Sequence, residues 1–308
     1  MSKREMIKNL IAGEKVEHCG FWLGNPHSET WPVLHRYFGT SSEQELRRKL
    51  GDDVSWICPQ FYADVYRNPE GHKLFDAGLD REEHGSVGPL ANCEDLAQVE
   101  NYPWPNPEYL RFDSCIVRMY SNPHIVRAVT DRVCEFYYQA NEMFFAAAGG
   151  LVDGFFFGND FGTQSGLICG PKQFDEFIMP WLGRFVEQGH RHGYQVILHS
   201  CGSIHGVIER LIEAGVDCLH PIQAKARDMD AERLAADFKG RIAFMGGIDS
   251  QGLMTNGSPD EIRADVYRVM KNLGPNLIVS PSHEAILPNV PPENVEALAQ
   301  AVKGENKQ

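Results

Sequence analysis

From residue 152 to the C-terminus, short apolar runs alternate with longer helical stretches, and this rhythm limits the folds open to the chain more than any other feature. Residues 152–157 lead into Gly158-Asn159-Asp160, 195–198 into His199, 216–222 into Gln223, and 242–245 into Gly246-Gly247-Ile248-Asp249; residues 277–280 close the series. Helical patterns are expected from Pro171 to about His192, over 204–214, 229–238 and 259–272, and from Pro291-Pro292 onward. The apolar runs are rich in β-branched and aromatic residues, as strands buried on both faces of a parallel sheet are.

The first half follows the same rule less regularly. Residues 3–12 read as a helix stopped by Gly13, Phe21-Trp22-Leu23 as a first strand, and 29–38 and 42–50 as helices. Ser41-Ser42 opens the second of these, with Glu43 and Glu45 in its first turn, where carboxylates meet the positive end of the helix dipole. Strands are expected at Asp53-Val-Ser-Trp-Ile-Cys58 and Cys115-Ile-Val-Arg-Met-Tyr120, and a helix from Pro123 to about Ala148 that brings Phe136, Tyr137, Tyr138, Phe144 and Phe145 to the core. Between 59 and 113, prolines and glycines break every period, so an irregular insertion of loops with a hairpin is expected there. The count of strand-helix units is roughly eight. The chain therefore reads as one α/β domain over residues 1–308, a (β/α)8 TIM barrel. No GxGxxG follows an early strand to support an open doubly wound sheet.

In such a barrel the chemistry stands at the C-terminal ends of the strands. Position alone selects Asp160, His199 with Cys201, Gln223, Asp249 and His283. His199 and Cys201 are two apart, so a strand presents both on one side, an imidazole nitrogen beside a sulfur, and that pair suits zinc. Asp160 and Asp249 also suit turn capping. His220, next to Pro221, reads as structural, and Gly246-Gly247 as a place where the backbone passes close to a neighbour.

Composition bounds the partners. The formal charge of −13 argues against nucleic acid or an anionic membrane surface and leaves a small molecule as the expected substrate. There is no signal-peptide pattern and no run of about 18 apolar residues, and the eight cysteines are scattered without CxxC spacing. Reduced thiols and a cytoplasmic setting are the expectation.

Five stretches carry a resemblance: Gly158-Asn-Asp-Phe-Gly-Thr-Gln164, His199-Ser-Cys-Gly202, Gly215-Val-Asp-Cys-Leu-His-Pro-Ile-Gln223, Phe244-Met-Gly-Gly-Ile-Asp249, and Ser280-Pro-Ser-His283 with Val290-Pro-Pro-Glu-Asn294. In this order the chain resembles the uroporphyrinogen decarboxylase superfamily, which includes cobalamin- and coenzyme M-linked methyltransferases. The resemblance implies a barrel and, on the methyltransferase branch, a zinc ion on His199 and Cys201. Where that branch has a further cysteine, the last strand here offers Ser280-Pro-Ser-His283, so His283 is the expected third ligand, with His220 or Asp160 as other sources. The zinc would act as Lewis acid on a hydroxyl, ether or thiol, and methyl would pass to or from a corrinoid on a separate partner protein. Substrate contacts are expected from Trp22, Gln164, Gln223 and Asp249. The arginines with which porphyrinogen decarboxylases bind substrate carboxylates are missing from the corresponding Trp22-Leu-Gly-Asn-Pro-His27.

Two other readings stand beside this one. A metal-free decarboxylase would use Asp53 and Asp160 to hold a cationic or NH-bearing intermediate and His283 as proton donor. A non-catalytic small-molecule-binding barrel is the other. A homodimer is expected by analogy with the family.

Overall fold

Residues 1–57 and 112–304 are described by the structure, a computed structural model. Six parallel strands form their centre: β1 (Gly20–Phe21), β2 (Gly154–Gly158), β3 (Gln195–His199), β4 (Cys218–Ile222), β5 (Ala243–Ile248) and β6 (Leu277–Pro281), hydrogen-bonded in the order β1-β6-β5-β4-β3-β2. Every residue of β4, β5 and β6 is buried, the consequence of apolar runs covered on both faces.

Helices join and cover the strands. They are α1 (Lys3–Ile11), α2 (Thr30–Phe38), α3 (Glu43–Leu50), α4 (Phe112–Ser121), α5 (Pro123–Ala148), α6 (Pro171–Gln173, a π-helical turn at Phe174–Ile178, then Met179–Arg191), α7 (Ile208–Glu213), α8 (Ala231–Phe238), α9 (Leu253–Asn256), α10 (Pro259–Leu273) and α11 (Pro292–Lys303). This is the α/β barrel of TIM type expected from the rhythm, with six of its strands among the described residues. Contacts divide the chain into two compact units, Met1–Val54 with Arg118–Gln308, and Ser55–Val117; all six strands belong to the first.

Two expected strands are not found. Residues 53–57 form no strand, although the Asp53 N–H donates to the Phe21 carbonyl at 2.9 Å; Cys58 lies outside the described residues. Residues 115–120 are helical, within α4. The pair Ile116-Val117 suggests a strand, but Ile116 and Met119 are the half-buried positions, and spacing of three is helical. The insertion expected over 59–113 falls almost wholly outside the described residues. In α5 the aromatics expected in the core are half-buried instead: Phe145 packs its ring 5.0 Å from both Phe155 and Tyr194, while Val126 is the fully buried residue of that helix.

Strand register sorts the inward side chains by depth. Phe156, Ile197, Cys218 and Ala243 are aligned across β2 to β5, and Met6, Leu10 and Ile11 of α1 belong to the same apolar cluster, which also holds Trp22, Met245 and Ile278. Because Cys218 and Ala243 begin their strands, α1 closes the N-terminal end of the sheet. One step of two residues further along, the aligned set is Gly158, His199 and His220. The interior thus turns from hydrocarbon to imidazole within about 7 Å, two residues of strand rise.

Candidate metal centre

His199 is the last residue of β3, and the turn after it is tied down from three sides. The Ser200 N–H donates to the His220 carbonyl at 2.7 Å, the Ser200 hydroxyl accepts from the Phe161 N–H at 3.0 Å, and the Gly202 N–H donates to Gln223 Oε1 at 2.6 Å. Gly202 has φ +88°, and a Cβ there would run into Gly162 of the loop after β2. The two loops lie backbone to backbone.

That approach brings Asp160 to the turn. Its Oδ1 accepts from the Cys201 N–H at 2.9 Å and stands 3.3 Å from His199 Nε2. Cys201 Sγ is 3.7 Å from the same nitrogen and 3.6 Å from His283 Nδ1. One ligand atom each of Asp160, His199 and Cys201 lie within 4.8 Å of one another. His283, the expected third ligand, is not in this group; its Nδ1 stands 3.6 Å from Cys201 Sγ. Imidazole nitrogen, thiol sulfur and carboxylate oxygen are all donors that zinc accepts.

A second group shares His199. Its Nδ1 lies 3.0 Å from His220 Nδ1, and atoms of His199, His220 and Glu284 fall within 4.8 Å. His220 has no exposed surface and sits with Trp22 edge-on at 5.3 Å between ring centroids and Phe156 at 5.1 Å. His220 Nε2 and Trp22 Nε1 are both buried without a hydrogen-bond partner. The sequence reads His220 as structural and as an alternative ligand source; its place beside His199 follows from the β3–β4 register, because an inward residue shows its partners only once its neighbours across the sheet are known. Glu284 is held at the rim by the loop after β1: the Asn25 N–H donates to its carbonyl at 2.7 Å, and a Cβ on Gly24 would strike that carbonyl.

The electrostatics follow from burial. The Cys201 thiol is pushed up to about 12, first by desolvation and then by the charges of Asp160 and Glu284, so it stays protonated at neutral pH. Burial, then the proximity of His199 and His283, holds His220 well below the usual imidazole range, so it is neutral.

The remaining expected site residues divide. Gln223 and Gln164 come together, with Nε2 of the first 3.4 Å from Oε1 of the second, but Gln223 also anchors Gly202, and Gln164 donates to the Lys225 carbonyl at 2.8 Å. Trp22 forms part of the wall around His220. Asp249 caps its own turn: its oxygens accept from the Gln251 and Leu253 N–H groups at 3.0 and 3.1 Å, and it is 5% exposed. Asp53 is paired with Lys3 of α1 at 2.7 Å and accepts from the Phe21 N–H at 3.0 Å.

The uroporphyrinogen decarboxylase (URO-D) family model matches residues 103–305. A solved structure of a methyltransferase from Methanosarcina mazei shares the fold, with a TM-score of 0.65, 16% sequence identity and 99% of each chain covered. No curated protein matches the sequence.

Proposed function

The chain belongs to the uroporphyrinogen decarboxylase family, and from that premise we propose that it is a zinc-dependent methyltransferase moving a methyl group between a small substrate and a corrinoid carried by a separate protein. The observation that carries this is the convergence of His199 Nε2, Cys201 Sγ and an Asp160 oxygen at the C-terminal rim. The methyltransferase from Methanosarcina mazei, which shares the fold, supports the same branch.

His199, Cys201 and Asp160 would hold the ion. When bound, zinc supplies a Lewis acid that stabilises the anionic form of a thiol or hydroxyl substrate. The protein's own groups set the stage. Asp160 Oδ1 holds the Cys201 backbone, and Gln223 holds the next N–H, so the two donors of the turn keep their separation. Trp22 and Phe156 wall off the inner side, which excludes water from beneath the imidazoles. His283 stands beside Cys201, where a neutral imidazole can take the proton that a substrate thiol or hydroxyl gives up.

The metal-free decarboxylase needs Asp53 and Asp160 together. The pairing of Asp53 with Lys3, on the helix that closes the opposite end of the sheet, counts against it.

The test is elemental mass spectrometry on protein purified without a metal-affinity step, beside Cys201→Ser. Near-stoichiometric zinc that falls in the variant, with loss of methyl from methylcobalamin to an added thiol by the wild type alone, is the expected result. Wild-type protein that takes up no zinc after incubation with the ion would overturn the proposal.

A further inference from the structure

We propose that His220 is a positioning residue: it accepts the Nδ1–H of His199, and so keeps the Nε2 lone pair of His199 free for a cation. The inference rests on the metal-centre reading above and adds to it a residue outside the ligand set.

The two groups proposed to share an ion with His199 both face its Nε2, with Cys201 Sγ at 3.7 Å and Asp160 Oδ1 at 3.3 Å. A neutral imidazole has one N–H, and if Nε2 is to give its lone pair to a metal, the proton must sit on Nδ1. A proton there needs an acceptor. Ligating histidines ordinarily find a carboxylate or a carbonyl, but here the atom facing Nδ1 is another imidazole nitrogen, His220 Nδ1 at 3.0 Å. The Glu284 carboxylate, although in the same group, hydrogen-bonds neither ring among the described residues.

The rest of His220 is an anomaly that this role explains. A ring with no exposed surface, against Trp22 and Phe156, leaves Nε2 without a partner. A buried polar atom left unpaired destabilises a fold, and an apolar side chain of similar size would not. Packing alone therefore gives no reason for histidine at this position, whereas the need for an acceptor at Nδ1 does. Because the acceptor is neutral, His199 is oriented without the added negative charge of a carboxylate partner.

The test compares zinc affinity, by chelator competition, in wild type, His220→Asn, His220→Gln and His220→Leu, with urea unfolding of each and Cys201→Ser as the loss control. Asparagine places an amide oxygen where Nδ1 stands; glutamine places its own nearer Nε2, and leucine has none. Expected are near wild-type affinity for H220N and a drop of about 10- to 100-fold for H220Q and H220L, with H220L at least as stable as wild type. In zinc-loaded wild type, long-range proton–nitrogen NMR should show His199 protonated at Nδ1. Folded H220L or H220Q with wild-type affinity, H220N falling as far as those two, or His199 protonated at Nε2 would each overturn the inference and leave the metal centre standing if Cys201→Ser still loses zinc. No zinc in wild type would overturn both.

Discussion

The hydrogen bond from the Gly202 N–H to Gln223 Oε1, at 2.6 Å and out of reach of solvent, joins the ends of β3 and β4 at the candidate site. Gln223→Leu leaves that N–H unpaired, so the variant should lose about 1–3 kcal/mol in urea unfolding and bind zinc more weakly than wild type because the Cys201 turn loosens. Gly202→Ala acts on the same turn through backbone strain. At φ +88° and against Gly162, an alanine should cost about 1–3 kcal/mol and lower zinc affinity as well. At this scale the sequence was informative about types and poor about partners. The turn at Gly202 followed from glycine; the strand expected to present His199 and Cys201 together ends at His199, and the turn after it brings Cys201 Sγ to 3.7 Å from His199 Nε2. The closeness of Asp160 to Cys201 did not follow from the sequence, since 41 residues separate them, and only the approach of two loops joins them.

Elements obeyed their local signals where those signals were redundant. Asp230 caps α8, accepting from the Arg233 N–H at 2.9 Å; Asp230→Ala should cost about 1 kcal/mol in unfolding and leave zinc affinity unchanged, since the helix lies outside the site. The outer helices α5 and α6 are clamped by Glu142, which accepts from Gln188 Nε2 at 2.7 Å, pairs with Arg191, and meets His192 just after α6 at 2.9 Å. Those contacts, the Gln188 hydrogen bond first, hold its carboxyl below the usual 4.5. A depressed carboxyl contributes stability that is present above the unfolded value and lost as pH falls through the folded one. Amide exchange in the second half of α5, corrected for intrinsic rate, should therefore lose protection below about pH 4.5 in wild type, and Glu142→Gln should flatten that dependence. Where signals were not redundant the sequence misled. A β-branched pair in 115–120 suggested a strand, and the half-buried spacing of Ile116 and Met119 belongs to a helix.

Across the first compact unit, polarity changes along the sheet. One end is hydrocarbon closed by α1, and the other carries His199, His220, Cys201, Asp160 and His283. Asp53 pairs with Lys3 of α1. Its partner Lys3 has a side chain 63% exposed, so the ion pair is worth little. Asp53→Asn should lose no more than about 1 kcal/mol and should leave both zinc affinity and methyl transfer as in wild type. A large loss of turnover in this variant would return Asp53 to the active site and revive the decarboxylase reading.

By itself the sequence determined the alternation of buried strands and covering helices and the positions of the polar residues at or just after the strand ends. These depend on residue period, turn chemistry and neighbours a few positions apart. Tertiary structure decided which side chains share a site. It set His220 against His199 through the β3–β4 register, brought Asp160 to Cys201 through two glycines, set Asp249 to capping its own turn and paired Asp53 with Lys3. Distances between residues remote in sequence follow from strand register and backbone approach, which no local pattern encodes.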